Sequence, residues 1–245
     1  MRATWNGTLS TGRFEALSLP GLAWPIELRP HPRARSLRLR LDEGRGLLTL
    51  TCPKRMSRKA ALEWARGQAS WVEAQLARVE PGEPFEPQRV VPVEGRDIQL
   101  LWDGSRSRTP LLSGELLQCG GPREAFSDRV ERFLRTRARD RLSNETARVA
   151  ALAGVTVRSV SVGDASSRWG SCSASGAIRY NWRLILAPSH LLQWVVAHEV
   201  AHRVHMNHGP EFRALEKRLF GSDVAAARAE LRALGPRLKR VGRPL

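Results

Sequence analysis

The chain has 245 residues, enough for one large domain or two smaller ones, and its 42% hydrophobic and 26% charged residues exclude a disordered protein. No apolar run approaches the roughly 20 residues that span a bilayer, and three widely separated cysteines exclude both a disulfide framework and a paired-cysteine metal site. The net charge of +16 makes nucleic acid a candidate partner, although GC-rich codons would produce the same excess of 36 arginines over 4 lysines.

Residues 1–120 are predicted to form a strand-rich region with one helix. Prolines within the N-terminal 30 residues interrupt the apolar segment that a signal peptide needs, so we expect a cytoplasmic protein. The alternation in "RSLRLRL" predicts a strand with leucines inward and arginines outward, and "GLLTLTCP" forms a hairpin with it across "DEGR". The densest basic patch of the chain comprises Arg29, Arg33, Arg35, Arg38 and Arg40. A half-buried strand explains this patch without any ligand.

One helix is predicted between this hairpin and the later strands. Ser57 is expected to cap it, and apolar residues recur at roughly helical spacing through residues 58–79. These apolar residues are Ala61, Trp64, Trp71 and Leu76. The stretches "DIQLLW" and "GELLQCGG" are predicted as further strands.

Residues 121–245 are predicted to be mainly helical. A long helix over 123–154 ends at Gly154, and "VTVRSVSVG" alternates as a strand. "AIRYNWRLILAP" is predicted as a second strand that stops at Pro188, after which Ser189 caps the helix "HLLQWVVAHEVAHRVH". A strand-rich first half followed by a helical second half is typical of an α+β fold.

The stretch "HEVAHRVHMNH", residues 198–208, contains four of the six histidines. On a helix, His198 and His202 lie one turn apart on the same face, so both imidazoles can bind one tetrahedral ion. Glu199 is turned about 100° around the axis, which makes it a poor ligand but places it to take a proton from a water that the ion activates. This is the HExxH pattern of zinc peptidases, so we interpret Glu199 as the catalytic base.

A catalytic zinc site needs a third protein ligand, and His205 and His208 are both candidates. His205 lies about 10.5 Å beyond His198 along an unbroken helix, too far for three imidazoles to close comfortably around one ion. His208 is the better candidate, because Asn207 and Gly209 can end the helix and turn the chain back. The same spacing occurs in metzincins, but those carry glycine at the position of His205 and a later methionine turn that is absent here.

Three stretches, "SRWGSCSASGAIRYNWRLILAP", "VVAHEVAH" and "MNHGPEF", together resemble the YgjP-like metallopeptidases, which are relatives of the WLM and SprT-like zincins. The resemblance is strong from about Ser167 to Phe212 and weaker back to about Arg33, so it covers most of the chain. It implies a zincin-like metallopeptidase region with an edge strand beside the active helix. The metal ligands and the catalytic base carry over onto His198, His202, His208 and Glu199.

Further residues match the pattern of that family, namely Trp169, Gly170, Ser171, Cys172 and Asn181. Arg213 departs from it, since an aromatic residue often stands there, and the start of the hairpin carries fewer basic residues than is usual. We expect residues 177–186 to be the edge strand that pairs with an extended peptide, with Gly170 permitting a tight bend before it.

Three residues near this strand are candidates for substrate or oxyanion contacts: Arg168, Tyr180 and Asn181. A structural ion pair for Arg168 and a core position for Tyr180 are the alternative explanations. Cys172 is interpreted as a small buried residue rather than a ligand.

We interpret the chain as a zinc-dependent peptidase that acts on a protein or peptide, with no membrane partner. The rival hypothesis is a metal-dependent RNA-processing endonuclease, because YbeY-like endoribonucleases share the spacing of the three histidines and a +16 chain would suit RNA. Glu199 argues against that rival, since a small residue is typical at its position there. A third hypothesis, a protease acting on nucleic-acid-bound proteins, rests on charge and on analogy with the SprT-like and WLM relatives.

Overall fold

The computed structural model of the protein describes residues 16–42 and 46–243, and the chain divides into two compact units between Glu80 and Pro81. We call them the N-terminal unit and the C-terminal unit. Sheets dominate the first half of the chain and helices the second, which confirms the predicted α+β fold. The division differs from the boundary expected at residue 120, because strands between residues 90 and 119 pack in the core of the C-terminal unit.

A mixed sheet forms one layer of the N-terminal unit. Its strands are β1 (Ala16–Leu17), β2 (Ile26–His31), β3 (Arg38–Asp42) and β4 (Leu47–Pro53), in the order β1-β2-β4-β3. β2 and β4 run parallel, and β3 pairs antiparallel with β4, as the predicted hairpin requires. Three residues of the turn, 43–45, lie outside the described residues. Arg38 and Arg40 are exposed while Leu39 and Leu41 pack against the core, which confirms the predicted faces of β3.

Two short helices replace the single helix predicted after this sheet. α1 spans Arg58–Arg66 and α2 spans Ala69–Leu76, with Gly67 as the C-cap of α1. The predicted N-cap is confirmed, since Ser57 Oγ accepts a hydrogen bond from the Ala60 N–H at 3.2 Å.

The buried face of these helices also differs from the prediction. Trp64 and Trp71 are 36% and 41% exposed, whereas Ala61, Ala65 and Val72 are buried. The helix is interrupted at Gly67 and Gln68, so the apolar spacing on the two sides of the break does not define one face.

Two sheets belong to the C-terminal unit. The first contains β5 (Val90–Val93), β6 (Arg96–Trp102), β7 (Leu111–Ser113) and β8 (Leu116–Cys119), in the order β5-β6-β8-β7. The second contains β9 (Ser159–Gly163), β10 (Gly170–Cys172) and β11 (Ala177–Asn181), in the order β10-β11-β9. β11 therefore lies in the middle of its sheet, parallel to β9 and antiparallel to β10.

Four helices complete the C-terminal unit: α3 (Phe126–Ala153), α4 (Ser189–Ala201), α5 (Pro210–Phe220) and α6 (Val224–Arg240). α3 ends as predicted, because Gly154 adopts the left-handed conformation with φ of 66°. One apolar core joins these helices to both sheets. Among the helices that the structure describes, none combines the length and apolar character needed to cross a membrane.

The strand predicted from Ala177 to Pro188 is shorter than expected. It ends at Asn181, whose side-chain oxygen accepts a hydrogen bond from the Arg183 N–H at 2.9 Å and starts a 3-10 helix, Trp182–Leu186. The prediction that this stretch is the edge strand is wrong. The edge strand that contacts α4 is β10.

The histidine-bearing helix α4 is also shorter than predicted. It ends at Ala201, and Val204, which follows this end, is 46% exposed. Ser189 does not cap it, because its hydroxyl donates instead to the Glu94 carbonyl at 3.4 Å. The remaining apolar face, which includes Leu192 and Val196, is fully buried and holds the helix in the core.

Candidate metal centre

Three imidazoles converge at the C-terminal end of α4. One ligand atom each from His198, His202 and His208 lies within 4.8 Å of the others. The Nε2 atoms of His198 and His208 are 3.3 Å apart, and two nitrogens at about 2.0–2.1 Å from a tetrahedral zinc would be separated by roughly that distance. The three side chains therefore fit a single metal ion.

The early end of α4 brings the third histidine back. His202 is the C-cap residue of the helix, and the following chain turns until Gly209 leads into α5. His205 is left outside the cluster, with its Nδ1 3.7 Å from Glu211. Phe212 lies in the first turn of α5. Its ring centroid is between 4.6 and 5.1 Å from the ring centroids of the three clustered histidines, so it packs against all three imidazoles.

Hydrogen bonds fix which nitrogens face the centre. His198 Nδ1 lies 2.8 Å from Glu216 Oε1, and His202 Nδ1 lies 3.2 Å from the His205 carbonyl oxygen. With both Nδ1 atoms engaged as donors, the Nε2 lone pairs are left for a metal. Burial, and then the charge of His198, lowers the pKa of His202 below its ordinary value, which favours the neutral form that binds a metal.

Glu216 is the main orienting group. It is 1% exposed, and its Oε1 also accepts a hydrogen bond from Trp194 Nε1 at 2.9 Å. Burial alone would raise the pKa of Glu216, but the hydrogen bond and charge of His198, the Trp194 donor and the Arg228 charge outweigh it and lower the pKa. A buried carboxylate behind a ligating imidazole holds the ring and strengthens it as a ligand.

Glu199 lies beside the cluster and is 5% exposed. In the part of the chain that the structure describes, its Oε2 has no hydrogen-bond partner. Burial raises the pKa of Glu199 to about 7, against the opposing charges of His198 and Arg168. A buried carboxylate whose pKa is raised towards neutrality is typical of a group that exchanges a proton in a functional site.

Glu199 has room because residue 170 is glycine. A Cβ at Gly170 would collide with Glu199 Oε1 and lie 2.7 Å from its Cδ. Gly170 begins β10 and does not have a positive φ, so the predicted role in a tight bend is wrong. Because residue 170 has no side chain, the Glu199 carboxyl can lie close to the backbone of β10.

A pocket of about 490 Å³ opens beside the histidines. Aromatic side chains and charged side chains both line it. The residues that line it include Arg168, Trp169, Trp194, Phe212, Arg213 and Arg228. His198, Glu199 and His208 also line it, so a group bound there lies next to the metal centre.

The other candidate contact residues divide between pocket and core. Arg168 lines the pocket, as expected of a substrate contact. Tyr180 does not reach it: the side chain is 1% exposed and its hydroxyl is hydrogen-bonded to Thr146 at 3.0 Å, while burial raises its pKa well above the ordinary value. Asn181 is 2% exposed and donates to the Ala165 carbonyl at 2.9 Å, so it organises the chain rather than contacting substrate.

Glu216 is a site residue that the sequence analysis missed. It lies 18 residues from His198 and belongs to no recognised spacing, so the motif does not indicate it. One signal was present: on α5, Phe212, Leu215 and Leu219 form an apolar stripe, and Glu216 stands within that stripe. A carboxylate on the buried face of a helix requires a partner, which here is His198.

A family model described as YgjP-like, metallopeptidase domain, matches residues 35–233. The chain belongs to this family. No curated protein and no solved structure matches the chain significantly. As a YgjP-like metallopeptidase domain the protein is a hydrolase, and the family implies a metal ion, which the three-histidine cluster is able to bind.

Proposed function

We propose that this YgjP-like protein is a zinc-dependent peptidase that hydrolyses peptide bonds with Glu199 as general base. The observation that carries the proposal is the juxtaposition of three converging imidazoles and a buried, partly unpartnered carboxylate beside one pocket. His198, His202 and His208 would hold the ion, and a catalytic site of three nitrogen ligands leaves one position open.

Zinc is favoured over magnesium and calcium by the type of ligand. Three imidazoles suit zinc, whereas magnesium and calcium prefer oxygen ligands. In the described residues, the clusters that would suit a metal consist of these histidines alone, with no thiolate among them. When bound, zinc polarises a carbonyl and lowers the pKa of water, which is the chemistry that peptide hydrolysis needs.

The chain's own residues supply the proton transfer. The Glu199 carboxylate accepts a proton from a water in the pocket and returns it to the leaving amine. Glu216 holds His198 in orientation, and Phe212 packs against the three imidazole rings. The outer edge of β10, beside Glu199, offers backbone groups that would pair with an extended peptide.

The RNA-processing alternative receives less support. The family match is to a metallopeptidase domain, and the carboxylate of Glu199 is buried in the site where a water-activating base is needed. A protease acting on nucleic-acid-bound proteins would share the same site, and only the net charge of +16 favours that narrower proposal.

Removal and return of the metal tests the proposal. Protein stripped with a chelator is assayed on an unfolded protein and on a structured RNA, before and after one equivalent of zinc is added. We expect proteolysis to disappear with the metal and to return with zinc, while the RNA stays intact. Zinc-dependent RNA cleavage without proteolysis would contradict the proposal.

A further inference from the structure

The pocket beside the histidines carries more positive charge than the chemistry proposed above uses. Arg168 precedes β10, Arg213 lies on α5 and Arg228 lies on α6, and all three line the pocket and are exposed. Two carboxylates, Glu199 and Glu216, face them in the same pocket. A bound metal would add to the excess of positive charge, so the pocket favours an anionic group.

The three arginines differ in how far they are already paired. The Arg228 guanidinium lies over the Trp194 ring at 5.8 Å, and its Nη2 is 3.8 Å from Glu216 Oε2. Among the described residues, no carboxylate lies within salt-bridge distance of Arg168 or Arg213. These two guanidinium groups are therefore available to a ligand.

The walls around the two arginines strengthen any ion pair formed there. Trp169, Trp194 and Phe212 line the same pocket, and side chains of this kind lower the local dielectric constant. A planar guanidinium binds a carboxylate through two parallel hydrogen bonds, which gives selectivity over a neutral amide of the same shape.

We propose that Arg168 and Arg213 bind a carboxylate of the substrate, so that the preferred substrates are peptides that present a carboxylate beside the cleaved bond. This inference rests on the proposed peptidase function and names its substrate class. Because the pocket includes His198 and Glu199, the bound carboxylate lies next to the bond that is cleaved. The carboxylate comes either from an Asp or Glu side chain or from the C-terminus of the peptide, and the experiment separates these sources.

Binding to the zinc-loaded Glu199→Gln protein tests the inference without requiring turnover. Four fluorescent peptides of otherwise identical sequence carry Glu or Gln at one central position, each with a free or an amidated C-terminus. We expect a peptide that presents the recognised carboxylate to bind at least about tenfold more tightly than its neutral counterpart, by fluorescence anisotropy. A preference for Glu that survives amidation assigns the side chain, and a preference that depends on the free terminus assigns the terminal carboxylate.

Arginine variants supply the matched controls in the same background. Arg168→Gln combined with Arg213→Gln should abolish the preference, and each single change should reduce it. Arg232→Gln, an exposed arginine on α6 outside the pocket, should keep it. Circular dichroism establishes whether the variants fold. If the double variant does not fold, the two single variants decide the result.

The results that overturn the inference are distinct from those that overturn the peptidase. Equal binding of all four peptides, or a preference that survives loss of both arginines, refutes the carboxylate pocket even if peptides are cleaved. A single-stranded oligonucleotide that binds more tightly than the acidic peptide, through the same two arginines, also refutes it. An arginine-dependent preference in a protein that cleaves no peptide supports the pocket and refutes the peptidase.

Discussion

Glu216 ties the metal centre to the packing of the second half of the chain. Its carboxylate holds His198 and Trp194 at once, from a helix that reaches the site 18 residues after that histidine. Glu216→Gln keeps the size of the side chain but removes the charge that strengthens the imidazole as a ligand. We expect metal affinity to fall about 10–100-fold, measured by competition with a chelator.

Glu211→Gln is the matched control for this change. Glu211 is 84% exposed and lies near His205, which is outside the cluster. Zinc affinity should stay within twofold of the wild-type value. Equal losses in the two variants would mean that general charge, rather than the contact with His198, determines affinity.

Gly170 provides a steric test of the position of Glu199. The added methyl group of Gly170→Ala would overlap the Glu199 carboxyl, so either the strand or the carboxylate must move. We expect a loss of about 1–3 kcal/mol in the free energy of unfolding, measured by urea denaturation, and a fall in peptidase rate. In Gly104→Ala the new methyl would have neighbours at 3.5 Å or more, and both stability and rate should change little.

The residues of the site were predictable to the extent that they are local in sequence. His198, His202 and Glu199 follow from helical spacing alone. His208 was predicted from a helix end at Asn207 and Gly209, whereas α4 ends earlier, at Ala201. Glu216 acts across the fold and has no such spacing. Tyr180 and Asn181 are candidate substrate contacts on the sequence alone, because the pattern of a strand does not tell which side faces the core. The structure buries both, which agrees with the alternative explanation of Tyr180 as a core residue.

At the scale of elements, the end of α4 decides which histidine completes the site. Because the helix stops at Ala201, the chain returns His208 to the cluster and leaves His205 outside. Purified protein should hold about one zinc per chain. His208→Ala should lose most of this zinc and His205→Ala should keep it, measured by atomic emission on the purified variants. The reverse pattern would show that the third ligand is wrong.

Other elements show where local patterns stop being informative. α3 was predicted correctly because 28 helical residues end at a glycine in the left-handed conformation. The helix after Ser57 was predicted as one because its apolar residues continue past Gly67, where the chain in fact breaks. β11 was extended to Pro188 because buried 3-10 and strand residues are equally apolar, and only the Asn181 cap separates them.

At the scale of the whole molecule, the order of strands and helices was sufficient to predict the α+β class. That order was not sufficient to assign each strand to a unit, because β5–β8 precede α3–α6 in sequence but share their core. Packing between distant segments depends on which apolar faces meet. The alternation of apolar and polar residues along one strand does not show which partner its apolar face contacts.

The charge of the molecule yields a prediction about partners. If the +16 charge acts without a specific interface, binding to nucleic acid should be weak and independent of sequence, and should fall linearly in log affinity with log salt. If the basic patch defined above is the contact, replacing its five arginines by serine should reduce the slope, measured by anisotropy across a salt series. A tight, sequence-selective complex at physiological salt would contradict our preference for a peptidase without a nucleic-acid partner.

The central claim is that Glu199 moves the proton without holding the metal, and Glu199→Gln tests it most directly. Gln keeps the size of the side chain and can hydrogen-bond to a water, but it cannot accept the proton of that water. The measurement is the rate of cleavage of an unfolded protein by wild type and variant, with zinc content determined on the same samples. We predict unchanged zinc and a rate that is lower by about 10²–10⁴-fold. Proteolysis that continues undiminished in the zinc-loaded variant would contradict the account.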